Sequence, residues 1–112
     1  METPPVAPDG TISITLGDKT FVMKPSIRAL MGIELAADLG IAKIIQLMGT
    51  GDVRYVHVIH IIHQGILAGP DKFNCPPIEE IGKWLVGGGM AYASTVITPF
   101  LVEALKASPK EK

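Results

Sequence analysis

The stretch that decides the fold is residues 11–40, TISITLGDKTFVMKPSIRALMGIELAADLG. Its first half alternates: Ile12, Ile14 and Leu16 are apolar, and Ser13 and Thr15 between them are polar. That period of two is the signature of a strand with one buried face. Gly17-Asp18 breaks the run, and Lys19 to Lys24 resumes it through Phe21, Val22 and Met23. Two such runs about a glycine-containing turn predict a β-hairpin. An isolated hairpin is marginal in water, so it must lie against other elements. After Pro25 the period changes. Ser26 is placed to cap a helix through its hydroxyl, and Ile27, Leu30, Met31, Ile33 and Leu35 recur at helical spacing up to a stop at Leu39-Gly40.

Downstream the helical period persists. Ile41, Ile44, Ile45 and Met48 predict a second helix, closed by Gly49-Thr50-Gly51. Asp52 is a candidate cap for a third, Val53 to Leu67, which Gly69-Pro70 ends. Pro77 suits a first helical position, with Glu79 and Glu80 at the positive end of the helix dipole. Ile78, Ile81 and Leu85 carry that fourth helix to about Val86. The triplet Gly87-Gly88-Gly89 breaks it, and a last helix follows from Met90 to Lys106, with Ala93, Ile97, Leu101 and Leu105 in line and Pro99 as a kink. The expected fold class is therefore α+β and mostly helical: an N-terminal hairpin followed by a bundle of four to five helices. Residues 11–107 form the single domain, and residues 1–10 and 108–112 are expected to be a disordered arm and tail.

The full chain has 112 residues, ten basic and eleven acidic, for a net charge of −1. A nucleic-acid binder shows a basic stripe, and none is visible. Charged residues are 19% of the chain, below the usual figure of roughly 25%, and mean hydropathy is +0.35. So much apolar surface in so short a chain implies that some of it faces a partner. The lone Cys75 excludes an internal disulfide. The proline-bearing first ten residues have no apolar run and do not read as a signal peptide, so a cytosolic location is expected. From Trp84 to Val102 no residue is charged, which approaches the ~20 residues of a membrane span. Three glycines, Ser94, Thr95, Thr98 and Pro99 argue for a helix break inside a globular fold, and no membrane role is expected.

No constellation meets the needs of catalysis, and neither a cofactor nor a metal is expected. His57, His60 and His63 fan over about 120° of one helix. Helical zinc motifs place two histidines at i and i+4 with a glutamate between them, a pattern absent here. His57 and His60 fall on the polar side with Arg54 and Gln64, and His63 nears the apolar boundary. They read as a solvated face with one semi-buried imidazole. Glu34 and Asp38 lie a turn apart and Glu79 and Glu80 are adjacent, so no pair of carboxylates faces one cleft. Glu34, among apolar neighbours, reads as a structural acid paired with a lysine or a backbone cap. The glycine clusters lack the lysine and spacing of a phosphate loop and read as connectors. Cys75 has no neighbouring base and reads as inert.

What remains is the apolar excess. On the third helix Tyr55, Val56, Ile59, Ile62, Ile66 and Leu67 fill one arc, and Val58 and Ile61 fall outside it. A helix apolar nearly all round is packed on two sides. Val58 and Ile61 are thus the candidate partner-binding residues, with Val96 and Phe100 of the last helix as a second choice. The alternative is that Val58 and Ile61 pack on the hairpin or the last helix.

The order of features resembles a family of small tailed-phage and gene-transfer-agent proteins known as tail assembly chaperones, some also labelled tail tube proteins. The hairpin leads into FVMKPSIRALMGIELAADLGIAKIIQLM, where Phe21, Leu30, Ile33, Glu34, Leu39 and Gly40 occupy the family's strand, helix and turn places. DVRYVHVIHIIHQGILAG is similar to the family's middle helix. IEEIGKWLVGGGMAYASTVITPFLVEALKAS is similar to its closing pair. The likeness spans about residues 12 to 107, and three histidines in the middle helix are a departure from it. It implies a non-enzymatic assembly factor in the cytoplasm of a bacterial host carrying a phage or prophage. Its expected client is the tape-measure protein, with other tail proteins and further copies of itself as additional partners. A structural tail component is the rival the resemblance allows. A metal- or proton-responsive regulator built on the three histidines is the rival from the residues alone.

Overall fold

The computed structural model describes residues 10–107. The expected arm and tail, apart from Gly10, lie outside those residues. The order is β1 (Ile12–Leu16), β2 (Lys19–Met23), α1 (Ile27–Ala37), α2 (Ile41–Thr50), α3 (Tyr55–Leu67), a 3-10 turn (Lys72–Asn74), α4 (Ile78–Trp84), a π turn (Leu85–Gly89) and α5 (Met90–Ala107). The fold is α+β and mostly helical: a two-stranded antiparallel hairpin, then the helices.

The hairpin register pairs Ile12 with Met23, Ile14 with Phe21 and Leu16 with Lys19. Gly17 takes φ +67°, the sign a two-residue hairpin turn needs at its first central position. Ile12, Ile14, Phe21 and Met23 are all buried on one face. Each outer edge is tied to the helices. The Thr15 N–H donates to the Tyr92 hydroxyl (3.1 Å), the Val22 N–H to Asp71 Oδ2 (2.7 Å) and the Lys24 N–H to the Gly65 carbonyl (3.1 Å). These bonds occupy edge groups that would otherwise be open to another strand.

The helix boundaries on either side of α2 differ from expectation for one reason, the identity of the capping groups. Ser26 Oγ does accept the Ala29 N–H (3.1 Å) and starts α1. The helix stops at Ala37, however, with Asp38 in the left-handed region (φ 56°). Glu34 then turns forward, and its Oε2 accepts the Ile41 N–H (2.8 Å), capping α2. Asp52, expected to cap α3, instead closes α2. Gly51 adopts φ 79° and the Asp52 N–H donates to the Leu47 carbonyl (2.8 Å), the glycine-terminated helix end of a Schellman turn. α3 therefore begins at Tyr55 behind Arg54.

The core runs from the hairpin face through Ala29, Leu30 and Ile33 of α1, Ile41 and Ile44 of α2, and the inner faces of α3, α4 and α5. α3 is its axis, packed against α1, β2, α4 and α5. Gly65 lets α3 approach both the hairpin and α5: a Cβ there would lie 2.5 Å from Met23 Cε and 3.0 Å from Phe100 Cζ. Gly88, at φ 118°, bends the α4–α5 stretch, as the glycine triplet predicted. The Trp84 indole lies against Gly89 and meets Tyr92 edge-on at 5.9 Å. Ile78–Lys106 is long and apolar enough, by length and composition, to cross a membrane. In this fold it supplies Ile81, Leu85, Ala93, Val96, Ile97, Phe100, Leu101 and Ala104 to the core. Ile78 and Leu105, expected on the buried stripes, are 39% and 43% exposed.

Candidate interaction surface

Val58, Ile61, Val96 and Phe100, the residues expected to bind a partner, are each 0% exposed. None of them can meet a partner without unfolding. The correction has a packing cause. The inward face of α3 is the line of Val58, Ile61, Ile62, Gly65 and Ile66, whereas Tyr55 and Val56 of the expected arc are 48% exposed. The signal in the sequence was Gly65. A glycine inside a helical pattern can mark where a neighbour comes closest, and its direction is the centre of the buried face.

The open apolar side chains lie elsewhere. On α1, Ile27, Met31 and Leu35 stand at i, i+4 and i+8, and exposure climbs along them from 37% to 58% to 82%. Leu30 and Ile33 of the same helix are buried. Residues four apart share a helix face, so the five large apolar residues of α1 form two lines, one inward and one outward. The second open feature is Phe73, 89% exposed on the 3-10 turn, with Lys72 Nζ 5.2 Å from its ring centroid. Phe73 stands at the lip of a trough of about 750 Å³ between the hairpin tip and α4, whose floor includes Leu16, Phe21, Ile81 and Trp84. On its other side is a smaller hollow of about 370 Å³, reached by Arg28 of α1 and by Gln64 and Leu67 of α3. No periodicity announces Phe73, because a single aromatic in a loop has no pattern to belong to.

The polar candidates are placed as follows. Glu34 is the backbone cap described above. Asp38 and Glu79 are exposed, and Glu80 faces Lys83 at 3.9 Å. Among the described residues no group of three or more His, Cys, Asp and Glu is arranged to hold a metal. Cys75 is half-buried, with Sγ 3.8 Å from the His63 carbonyl and 3.5 Å from that of Pro76. Burial pushes its thiol up to about 11, the reverse of what a nucleophile needs. The histidines are not the solvated face expected. His57 is the most buried, at 8% exposure, and His60 and His63 are half-buried.

No family model, curated protein or solved structure matches the chain.

Proposed function

We propose that this chain binds an apolar helical segment of another protein and, as its resemblance to the tail assembly chaperones implies, that its client is the tape-measure protein. The observation that supports the reading best is Phe73. A phenyl ring held 89% exposed beside a trough of about 750 Å³ is an aromatic anchor of the kind that dominates protein interfaces. The outward line of Ile27, Met31 and Leu35 extends the open apolar surface on α1. A helix offering apolar anchors at i, i+3, i+4 and i+7 suits such a surface. The protonated Cys75 thiol, and carboxylates that are either exposed singly or committed to caps and surface pairs, support a binding role over a catalytic one.

Co-purification with the tape-measure protein of the same gene cluster tests this. Wild type should retain the client. Phe73→Glu should weaken retention at least tenfold, with an unchanged circular dichroism spectrum. Full retention by both Phe73→Glu and Leu35→Glu would defeat the surface assignment. No retention by wild type would defeat the client.

A further inference from the structure

α3 carries three imidazoles, and at His57 and His63 the surroundings of Nδ1 favour the neutral state. In the first turn, His57 Nδ1 accepts the Arg54 N–H (3.2 Å), and it is the side chain that satisfies the helix start now that Asp52 has been drawn into the end of α2. His60 Nδ1 and His63 Nδ1 are sealed from solvent with no hydrogen-bond partner among the described residues. A neutral imidazole can keep its proton on Nε2 and its lone pair on Nδ1. A second proton must go on Nδ1. At His57 that replaces an acceptor by a donor facing a donor. At His63 it buries an N–H without an acceptor, which is costly.

The Arg54 charge adds to this cost at His57. Arg54 adjoins His57, and a cation in the first turn opposes the helix dipole. On the other elements packed against α3, the cations are Arg28 of α1, Lys19 of β2, Lys72 of the 3-10 turn, Lys83 of α4 and Lys106 of α5. Arg28 and Lys72 line the same hollow as Gln64, one turn after His60. The carboxylates of these elements are mostly committed. Glu34 caps Ile41, Glu80 faces Lys83 and Glu103 faces Lys106, while Asp71, next to the 3-10 turn, holds Val22. Glu79 is exposed, and among the described residues no carboxylate pairs with an imidazole. Burial, then Arg54, then His60 lower the His57 pKa; burial, then His60, lower that of His63.

We propose that His57 and His63 form an acid-opened latch that holds α3 and the α2–α3 junction closed while these two imidazoles are neutral. α2 is tied to the core through Ile41 and Ile44 alone among its buried residues, so release of the junction at residues 51–54 loosens α2 with it. The direction follows from linkage. Below the ordinary histidine value of 6.5 the unfolded or opened chain takes up protons that the closed fold resists. Stability is therefore full above that pH and falls as pH drops through it toward the lowered folded values.

Urea unfolding of the full chain at pH 7.5 and pH 5.0 tests the latch, since ordinary carboxylates titrate lower, near 3.9 to 4.3. The wild-type midpoint should fall on acidification. His57→Gln should recover a large part of the fall, because glutamine at that helix position can accept the same N–H and cannot be protonated. The double variant H57Q/H63Q should show little of it. In wild type at pH 5.0, amide exchange at residues 55–59 should quicken at least tenfold relative to residues 96–101. An unchanged wild-type midpoint, or an equal fall in the double variant, overturns the proposal. Should the double variant not fold, imidazole NMR of wild type decides. A His57 midpoint below 6.5 with its lone pair on Nδ1 supports the latch, and a midpoint at or above 6.5 overturns it.

Discussion

α1 and α3 are both rich in large aliphatic residues, yet they meet opposite fates. On α3 the positions that looked surplus, Val58 and Ile61, are 0% exposed. On α1 the outward line ends in Leu35 at 82%. The difference lies in the neighbours. α3 is enclosed by α1, the hairpin, α4 and α5, whereas α1 keeps one face open. Apolar excess on a helix thus shows that two faces need cover and leaves undetermined whether the second cover comes from the same chain.

Substitutions can break that comparison, and the largest contrast should come from one charge placed on each helix. Ile61→Glu buries an unpaired carboxylate at the centre of α3 and should cost about 4 kcal/mol or more, enough to lose cooperative unfolding in a urea titration. A folded and soluble Ile61→Glu protein would mean that α3 has an open face after all. Next is Gly65→Ala, where the new methyl meets Met23 and Phe100. Overpacking of this kind costs about 1–3 kcal/mol, read as a lowered thermal midpoint. A neutral result would mean that the α3–α5 contact has room to give. Glu34→Ala removes the cap on Ile41 and should cost about 1 kcal/mol, seen as faster amide exchange in the first turn of α2 and little change in α5. Leu35→Glu, on the open face of α1, should change stability by at most about 0.5 kcal/mol. Its effect belongs in client retention, and a large loss of stability would place Leu35 in a contact within the fold.

Much of the fold was legible because it depends on local rules. The alternation Ile12-Ser13-Ile14-Thr15 survives as a buried and an exposed face, Gly17 turns the hairpin, and Ser26 caps α1. Where a residue had two uses, local rules could not choose. Asp52 reads as a helix start and serves as a helix end. His57 reads as a surface imidazole and serves as a cap inside the fold. The open apolar surface was the least legible part, since the outward line of α1 and the ring of Phe73 differ from core residues in nothing but position.

The sequence by itself determined the hairpin, the approximate number and placing of the helices, and the break at Gly87-Gly88-Gly89, because period, capping and glycine conformation act within a few residues. Only the tertiary structure decided which apolar residues stay in water and which imidazoles leave it. Burial is a property of what packs across a helix, and contacts such as Gly65 with Phe100 or Thr15 with Tyr92 join residues far apart in the chain, beyond the reach of any local pattern.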